Sequence, residues 1–189
     1  MAVSLEAISL KVDTPTGQPV PGRGFYQLEE DALYVQVGEY HNNRGFFNYL
    51  ESEYVRFDID KTGCLMLIEV SLPRRHWVVD PRFAPPTIAE PADIRWLDFR
   101  ARFPEPRLVT NAKQTALHLQ FSTGTSWRWY GLAEAVLLQV DQNHNLAGML
   151  ITGIEDDLAG RQIAAFRRET QHLSRGPSKS APSRRTISG

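Results

Sequence analysis

The chain lacks most of the features that mark small stapled folds, membrane spans and common catalytic sites. It has one cysteine in 189 residues, so no intrachain disulfide can form. Cys64, inside the apolar run CLMLIEV, reads as a small core residue of a reducing compartment. Nothing near it in sequence would lower a thiol pKa, which argues against a reactive nucleophile. No apolar run reaches the roughly 20 residues that a membrane span needs. The opening MAVSLEAISL has no basic leading segment and is interrupted by Glu6, unlike a secretion signal. The expectation is a soluble, cytoplasmic protein. A glycine-rich strand-to-helix loop, a Cys-x-x-Cys pair and a His-Glu-x-x-His helix are all missing, so neither a cofactor nor a metal is expected.

A large net charge is also missing. Net charge is −1, yet residues 173–189 carry Arg175, Lys179, Arg184 and Arg185 and no acid, which leaves −5 over residues 1–172. An acidic body argues against a broad phosphate-binding face, because affinity for nucleic acid comes largely from Lys and Arg displacing counterions. The Ser-, Pro-, Gly- and Arg-rich residues 174–189 read as a disordered basic tail.

What is present is repetition. ALYVQV at 32–37 resembles ALHLQF at 116–121, and YVRFDIDKTGCLMLIEV from Tyr54 lies over AVLLQVDQNHNLAGMLI from Ala135. The second match pairs Val55 with Val136, Asp60 with Asp141 and Leu65 with Leu146, and the same offset pairs Phe46 with Trp127 and Tyr49 with Tyr130. Each block alternates apolar and polar residues, as in Leu33, Val35 and Val37 or Val55, Phe57 and Ile59, the period of a half-buried strand. The segments around Lys61–Thr62–Gly63 and Gln142 to Asn145 are hairpin turns. A further strand is expected before each copy, through Ile8, Leu10 and Val12 and through Leu97, Phe99, Ala101 and Phe103, giving about four strands per copy. PVPGRG at 19–24 and FPEP at 103–106 read as loops.

The fold expected is therefore mainly β: two duplicated antiparallel meanders forming a sandwich or open barrel, with α+β as the alternative. Residues 1–80 are the first copy, a Pro-rich linker occupies 81–93, and residues 94–155 are the second copy. A helix over 156–173 is predicted from Ala159, Ile163, Phe166, Thr170 and Leu173 on one face, with Asp156 and Asp157 at its start and Arg167 and Arg168 toward its end. Its stripe packs on the sheet or docks on a partner chain.

The stretch FYQLEEDALYVQVGE followed by VRFDIDKTGCLMLIEVSL resembles a small bacterial domain-of-unknown-function family, numbered 2283. Tyr26, Asp31, Ala32, Leu33, Tyr34, Ile68 and Glu69 match its pattern, while Leu67 stands where that family often has glycine. In the second copy Gly148 takes that place, but His118 replaces the Tyr and Leu150 the Glu. The resemblance implies a bacterial strand meander and assigns no catalytic residue.

Candidate chemistry is sparse. His41, His76, His118, His144 and His172 are scattered. His76 and Asp80 in PRRHWVVDP could, with Arg95, line a pocket between the copies if the chain brought them together. The most unusual run is WRWY, Trp127, Arg128, Trp129 and Tyr130, matched to Phe46 and Tyr49 in the first copy. Aromatics at matched places point to a shared core. Alternatively one alternating pair faces outward, and Trp, Tyr and Arg are the residues of binding hot spots. Three readings follow. The first is a protein-binding module, for instance an immunity or antitoxin-like inhibitor, whose partner is another protein. The second is a small-ligand binder or enzyme with a pocket between the copies, and the third is single-stranded nucleic-acid binding through WRWY and the tail.

Overall fold

The computed structural model describes residues 3–39, 45–121 and 126–174. The first half contains β1 (Val3–Ser4), β2 (Leu10–Asp13), β3 (Gly22–Gln27), β4 (Ala32–Val37), β5 (Phe46–Glu51), β6 (Val55–Asp60), β7 (Leu65–Val70) and, after a short 3-10 turn, β8 (Val78–Val79). The second contains β9 (Glu90–Pro91), β10 (Asp93–Trp96), β11 (Ala101–Arg102), β12 (Arg107–Thr110), β13 (Leu117–Gln120), β14 (Trp127–Ala133), β15 (Val136–Asp141), β16 (Leu146–Ile151) and β17 (Glu155–Asp157), followed by α1 (Arg161–Ser174).

An eight-stranded sheet of order β1-β11-β5-β6-β7-β4-β3-β17 and a seven-stranded sheet of order β8-β12-β13-β16-β15-β14-β9 share one buried apolar cluster. The alternation dictates this packing. Leu33, Val35, Phe57, Ile59 and Ile68 of the first sheet and Leu117, Leu119, Leu138, Val140 and Met149 of the second are all buried in that cluster. Phe57 links the sheets, stacking on Phe103 at 5.3 Å and lying 6.2 Å from Phe121. The sheets are open and layered rather than closed into a barrel.

The order β5-β6-β7-β4-β3 in the first sheet recurs as β14-β15-β16-β13-β12 in the second. The correspondence extends to irregularities. The β6–β7 ladder shifts register between Asp58 and Ile59, and the β15–β16 ladder between Gln139 and Val140, the matched pair. In each turn an aspartate holds the loop: Asp60 Oδ1 accepts from the backbone N–H of Thr62 (2.8 Å) and Cys64 (3.0 Å), and Asp141 Oδ1 from those of Asn143 and Asn145 (both 2.8 Å). Each turn then needs one left-handed residue, Gly63 at φ 83° and His144 at φ 61°.

β2 and β10 pair with each other as a separate antiparallel ribbon, with Trp96 opposite Leu10. The ribbon crosses both turns. Trp96 N–H donates to the Gly63 carbonyl at 2.7 Å, and Leu10 N–H to the His144 carbonyl at 2.8 Å. The strand that precedes each copy thus docks on the turn of the other copy.

Several expectations are corrected. The unit that recurs has five strands rather than about four, because β3 and β12 fall where loops or nothing had been read; PVPGRG contributes Gly22 and Gly24 to β3. Those glycines carry no alternation signal, and a Cβ on Gly22 would lie 2.9 Å from the Cβ of Ala133. Leu97 to Phe103 is not one strand: it breaks after Trp96, leaves Leu97 and Phe99 exposed, and resumes at β11 beyond Arg100 at φ 50°. The linker 81–93 ends in β9 and the first residue of β10. The helix starts at Arg161, not near Asp156, because Glu155–Asp157 pairs in parallel with Phe25 to Gln27. Asp157 still caps it, its carboxylate accepting from the N–H groups of Gln162 (3.3 Å) and Ile163 (3.1 Å). α1 packs against β3 and β17 through buried Ile163, while Ala159 precedes it and the side chains of Phe166, Thr170 and Leu173 lie outside the described residues, as do residues 175–189 of the expected tail. Cys64 is half-buried rather than a core residue, and its sulfur accepts from Thr62 Oγ1 at 3.4 Å. No helix among the described residues is long and apolar enough to cross a membrane.

Gly63→Ala tests the junction between turn and ribbon. A Cβ at Gly63 would lie 2.6 Å from the Trp96 carbonyl oxygen, a backbone atom, at a φ of 83° that alanine resists. Urea unfolding should show a loss of about 2 kcal/mol or more; an unchanged midpoint would show that the ribbon does not rest on this turn.

Candidate functional site

The two aromatic strips sit in different sheets and do different things. In the first, Phe46 and Phe47 are 56% and 54% exposed on β5. The loop at 97–100 lies beside them, pinned by Arg100 N–H donating to the Tyr49 carbonyl at 2.9 Å. It brings up Leu97 and Phe99, both exposed, and Phe99 meets Phe47 edge-on at 6.2 Å. The Arg56 guanidinium lies 4.3 Å over the Tyr49 ring and 5.9 Å from that of Phe46, while its Nε pairs with Asp58 at 2.8 Å. Arg102, well exposed, reaches Glu51 at 3.4 Å. The result is an apolar surface patch bordered by Arg56 and Arg102, each paired with a carboxylate.

In the second sheet a bulge moves. β5 carries its irregularity between Phe46 and Asn48, β14 between Gly131 and Ala133. Between those points the matched residues change partners: Tyr49 stands opposite Asp58, but Trp129, not Tyr130, stands opposite Gln139. Directly opposed residues share a sheet face. Tyr130, opposite buried Leu138, therefore packs on the core, while Trp129 joins the outer face and Trp127 is 38% exposed. Trp127, Arg128 and Tyr130 border a cleft of about 450 Å³ at the open end of the β14–β15 hairpin, together with Asp141, Gln142 and His144.

The outer face of the second sheet holds a polar chain. His118 Nε2 is 3.1 Å from Gln139 Oε1, and Gln120 Nε2 is 3.2 Å from His118 Nδ1. The one consistent assignment makes Nε2 the protonated nitrogen, so both ring nitrogens are engaged. Burial pushes the His118 pKa down, partly offset by the Gln139 bond. Trp129 lies 5.6 Å from the imidazole. Gly148 makes room: a Cβ there would lie 2.3 Å from Gln139 Oε1 and 2.7 Å from His118 Nε2. The matched face of the first sheet is charged instead. Tyr34, Glu69 and Arg56 lie in one row across β4, β7 and β6, with Asp58 beside them. Burial raises the carboxyl pKa of both Asp58 and Glu69, with Arg56 opposing it.

The proposed pocket group does not assemble. His76 is exposed in the 3-10 turn, Asp80 accepts from the Arg82 backbone N–H at 2.9 Å, and Arg95 donates to the Thr62 carbonyl at 3.3 Å. Among the described residues no hydrogen bond or ion pair joins the three. A cavity of about 270 Å³ does lie between the copies, lined by Val37, Cys64, Ile94, Arg95 and Leu132, with neither His76 nor Asp80. His41 and the side chain of His172 lie outside the described residues. Sequence reasoning missed Phe47, Leu97 and Phe99, since a period-2 run does not reveal where a strand breaks. No protein-family model and no curated protein matches the chain. Among the described residues no group of three or more His, Cys, Asp or Glu side chains could hold a metal ion.

The lowered His118 pKa favours folding with a neutral ring. The stability this contributes is full above the ordinary value of about 6.5 and is lost as pH falls through the lowered folded value. Melts recorded from about pH 7.5 down to 5 should show this loss in the native sequence and a shallower one in His118→Gln. Equal slopes would remove the histidine from the account.

Proposed function

We propose that this protein is a protein-binding module that docks a partner on the apolar patch beside β5, through Phe46, Phe47, Leu97 and Phe99. The observation that supports it is the concentration of four large apolar side chains, each 41–56% exposed, on one strand and the loop pinned beside it. Scattered apolar residues on a surface need no explanation, whereas contiguous ones mark interaction sites. Burying a phenylalanine side chain recovers about 1.5–3 kcal/mol, so a few anchors of this kind carry most of an interface's affinity.

The rim sets the partner's chemistry. Arg56 and Arg102 beside the patch are paired with Asp58 and Glu51, whereas Arg100 in the adjoining loop makes no ion pair with a described residue and is left to meet a partner's carboxylate. A partner surface with an apolar centre and a carboxylate beside it fits this arrangement, since complementary rims steer encounter and exclude like-charged competitors. An immunity or antitoxin-like inhibitor is one such module, and this patch is the surface it would use.

Phe47→Ser combined with Phe99→Ser should leave the melting temperature nearly unchanged, because both rings are solvent-exposed. Cross-linked pull-downs from native lysate should lose from this variant proteins that the native chain and Trp127→Ala both retain. The same proteins captured by all three chains would contradict the assignment. Concentration-dependent sedimentation that the double substitution abolishes would identify the partner as a second copy.

A further inference from the structure

The two hairpins share strand order, ladder irregularity and an aspartate-held turn, so where they differ the difference is not required by the fold. One set of differences lies at the hairpin ends. Around the first hairpin the matched residues are Phe46, Phe47, Lys61 and Gly63; around the second they are Trp127, Arg128, Gln142 and His144. It is the second that encloses the cleft of about 450 Å³, within the range of roughly 300–1,000 Å³ typical of small-molecule sites.

The cleft's chemistry is specific. Trp127 supplies exposed aromatic surface, Tyr130 borders the cleft from the core side, and Arg128 supplies a guanidinium. Of the charged side chains bordering the cleft, Asp141 is already committed: its carboxylate accepts from the backbone N–H groups of Asn143 and Asn145 and, at 3.3 Å, from the Asn145 side-chain amide. Arg128 makes no hydrogen bond or ion pair with any described residue, so its five donors are available to a ligand. His144 also borders the cleft. It sits at φ 61°, a conformation that costs a non-glycine residue about 1 kcal/mol and that the first copy fills with Gly63.

We propose that this cleft is a binding site for a small aromatic anion, a planar ring bearing a phosphate or carboxylate. The ring packs against the exposed Trp127 at the end of the strand, and the anionic group pairs with Arg128 beside His144. The guanidinium's planar fork matches either oxyanion through two parallel hydrogen bonds. This site is separate from the β5 patch, and neither reading depends on the other.

Of the four tryptophans, Trp127 is the one that borders the cleft, so quenching of intrinsic fluorescence that Trp127→Ala loses reports on the site. Titrations would use adenosine 5′-monophosphate and 4-hydroxybenzoate as aromatic anions, with adenosine and inorganic phosphate supplying ring and charge separately. Saturable quenching by at least one aromatic anion is expected, with at least about tenfold weaker binding for adenosine and for phosphate, as loss of a charge-assisted pair or of a stacking surface entails. Which of the two anions binds decides between a phosphate and a carboxylate source. Calorimetry on Arg128→Ala and Trp127→Ala should show at least about tenfold weaker binding with unchanged melting temperatures, and Phe47→Ser should bind as the native chain does. Absence of binding by both anions, affinity undiminished in Arg128→Ala, or binding of a single-stranded oligonucleotide alone would each overturn the proposal.

Discussion

The crossing of the β2–β10 ribbon over both hairpin turns is the constraint on which the rest of the molecule depends. Two backbone hydrogen bonds, from Trp96 to Gly63 and from Leu10 to His144, hold each turn to the strand that leads into the other half. Because the two strands also pair with each other, neither half can move away without breaking ladder bonds that belong to both. The apolar faces are thereby kept in register across the core. Ile8, Leu10, Ile94 and Trp96 belong to the same buried cluster as the sheets. The requirement for close packing there is strong enough that the Trp96 indole Nε1 is buried without a hydrogen-bond partner among the described residues, a cost of about 1–3 kcal/mol.

Within this frame the halves have diverged most where the frame does not reach. Inward positions remain aliphatic in both sheets, as with Val55 and Val136 or Ile59 and Val140. Outward positions do not. The row of Tyr34, Glu69 and Arg56 in the first sheet corresponds to His118, Leu150 and Leu137 in the second. Leu67 corresponds to Gly148, whose missing side chain lets the His118–Gln139 bond form. The first copy is also met by α1, which follows the second copy in the chain: Arg167 pairs with Glu30 at 2.9 Å and lies 5.7 Å from the Tyr34 ring. One repeated scaffold therefore presents two chemically distinct outer surfaces and two distinct hairpin ends.

Much of the scaffold is legible in the sequence, for a physical reason. β4, β6, β7, β13, β15 and β16 are each buried on one side at least, so their apolar residues recur at the strand period, and the aspartates at the turns punctuate them. β3 does not show in the pattern because Gly22 and Gly24 have no side chain to alternate, and β12 because Leu108, Val109 and Thr110 are all buried; the absence of bulk at Gly22 serves a contact with Ala133 on the other sheet. The start of α1 was misplaced because an acidic pair is an equally good opening for a helix and a cap for one that begins later; only the long-range pairing of Asp156 with Tyr26 decides. Trp127, Arg128 and Tyr130, which stand out by composition alone, border one cleft in the structure. The β5 patch was half found: Phe46 and Tyr49 stood out as matched aromatics, but Leu97 and Phe99 looked like core. Their exposure follows from a break at Arg100 that no local pattern announces.

Native-state hydrogen exchange at the Trp96 and Leu10 amides tests the crossed-ribbon account most directly. If the ribbon couples the halves, both amides exchange only through global unfolding, with the same free energy as the slowest amides of β6 and β15 and the same denaturant dependence. Exchange of either amide by a separate, lower-energy opening while the cores of both sheets remain protected would contradict it.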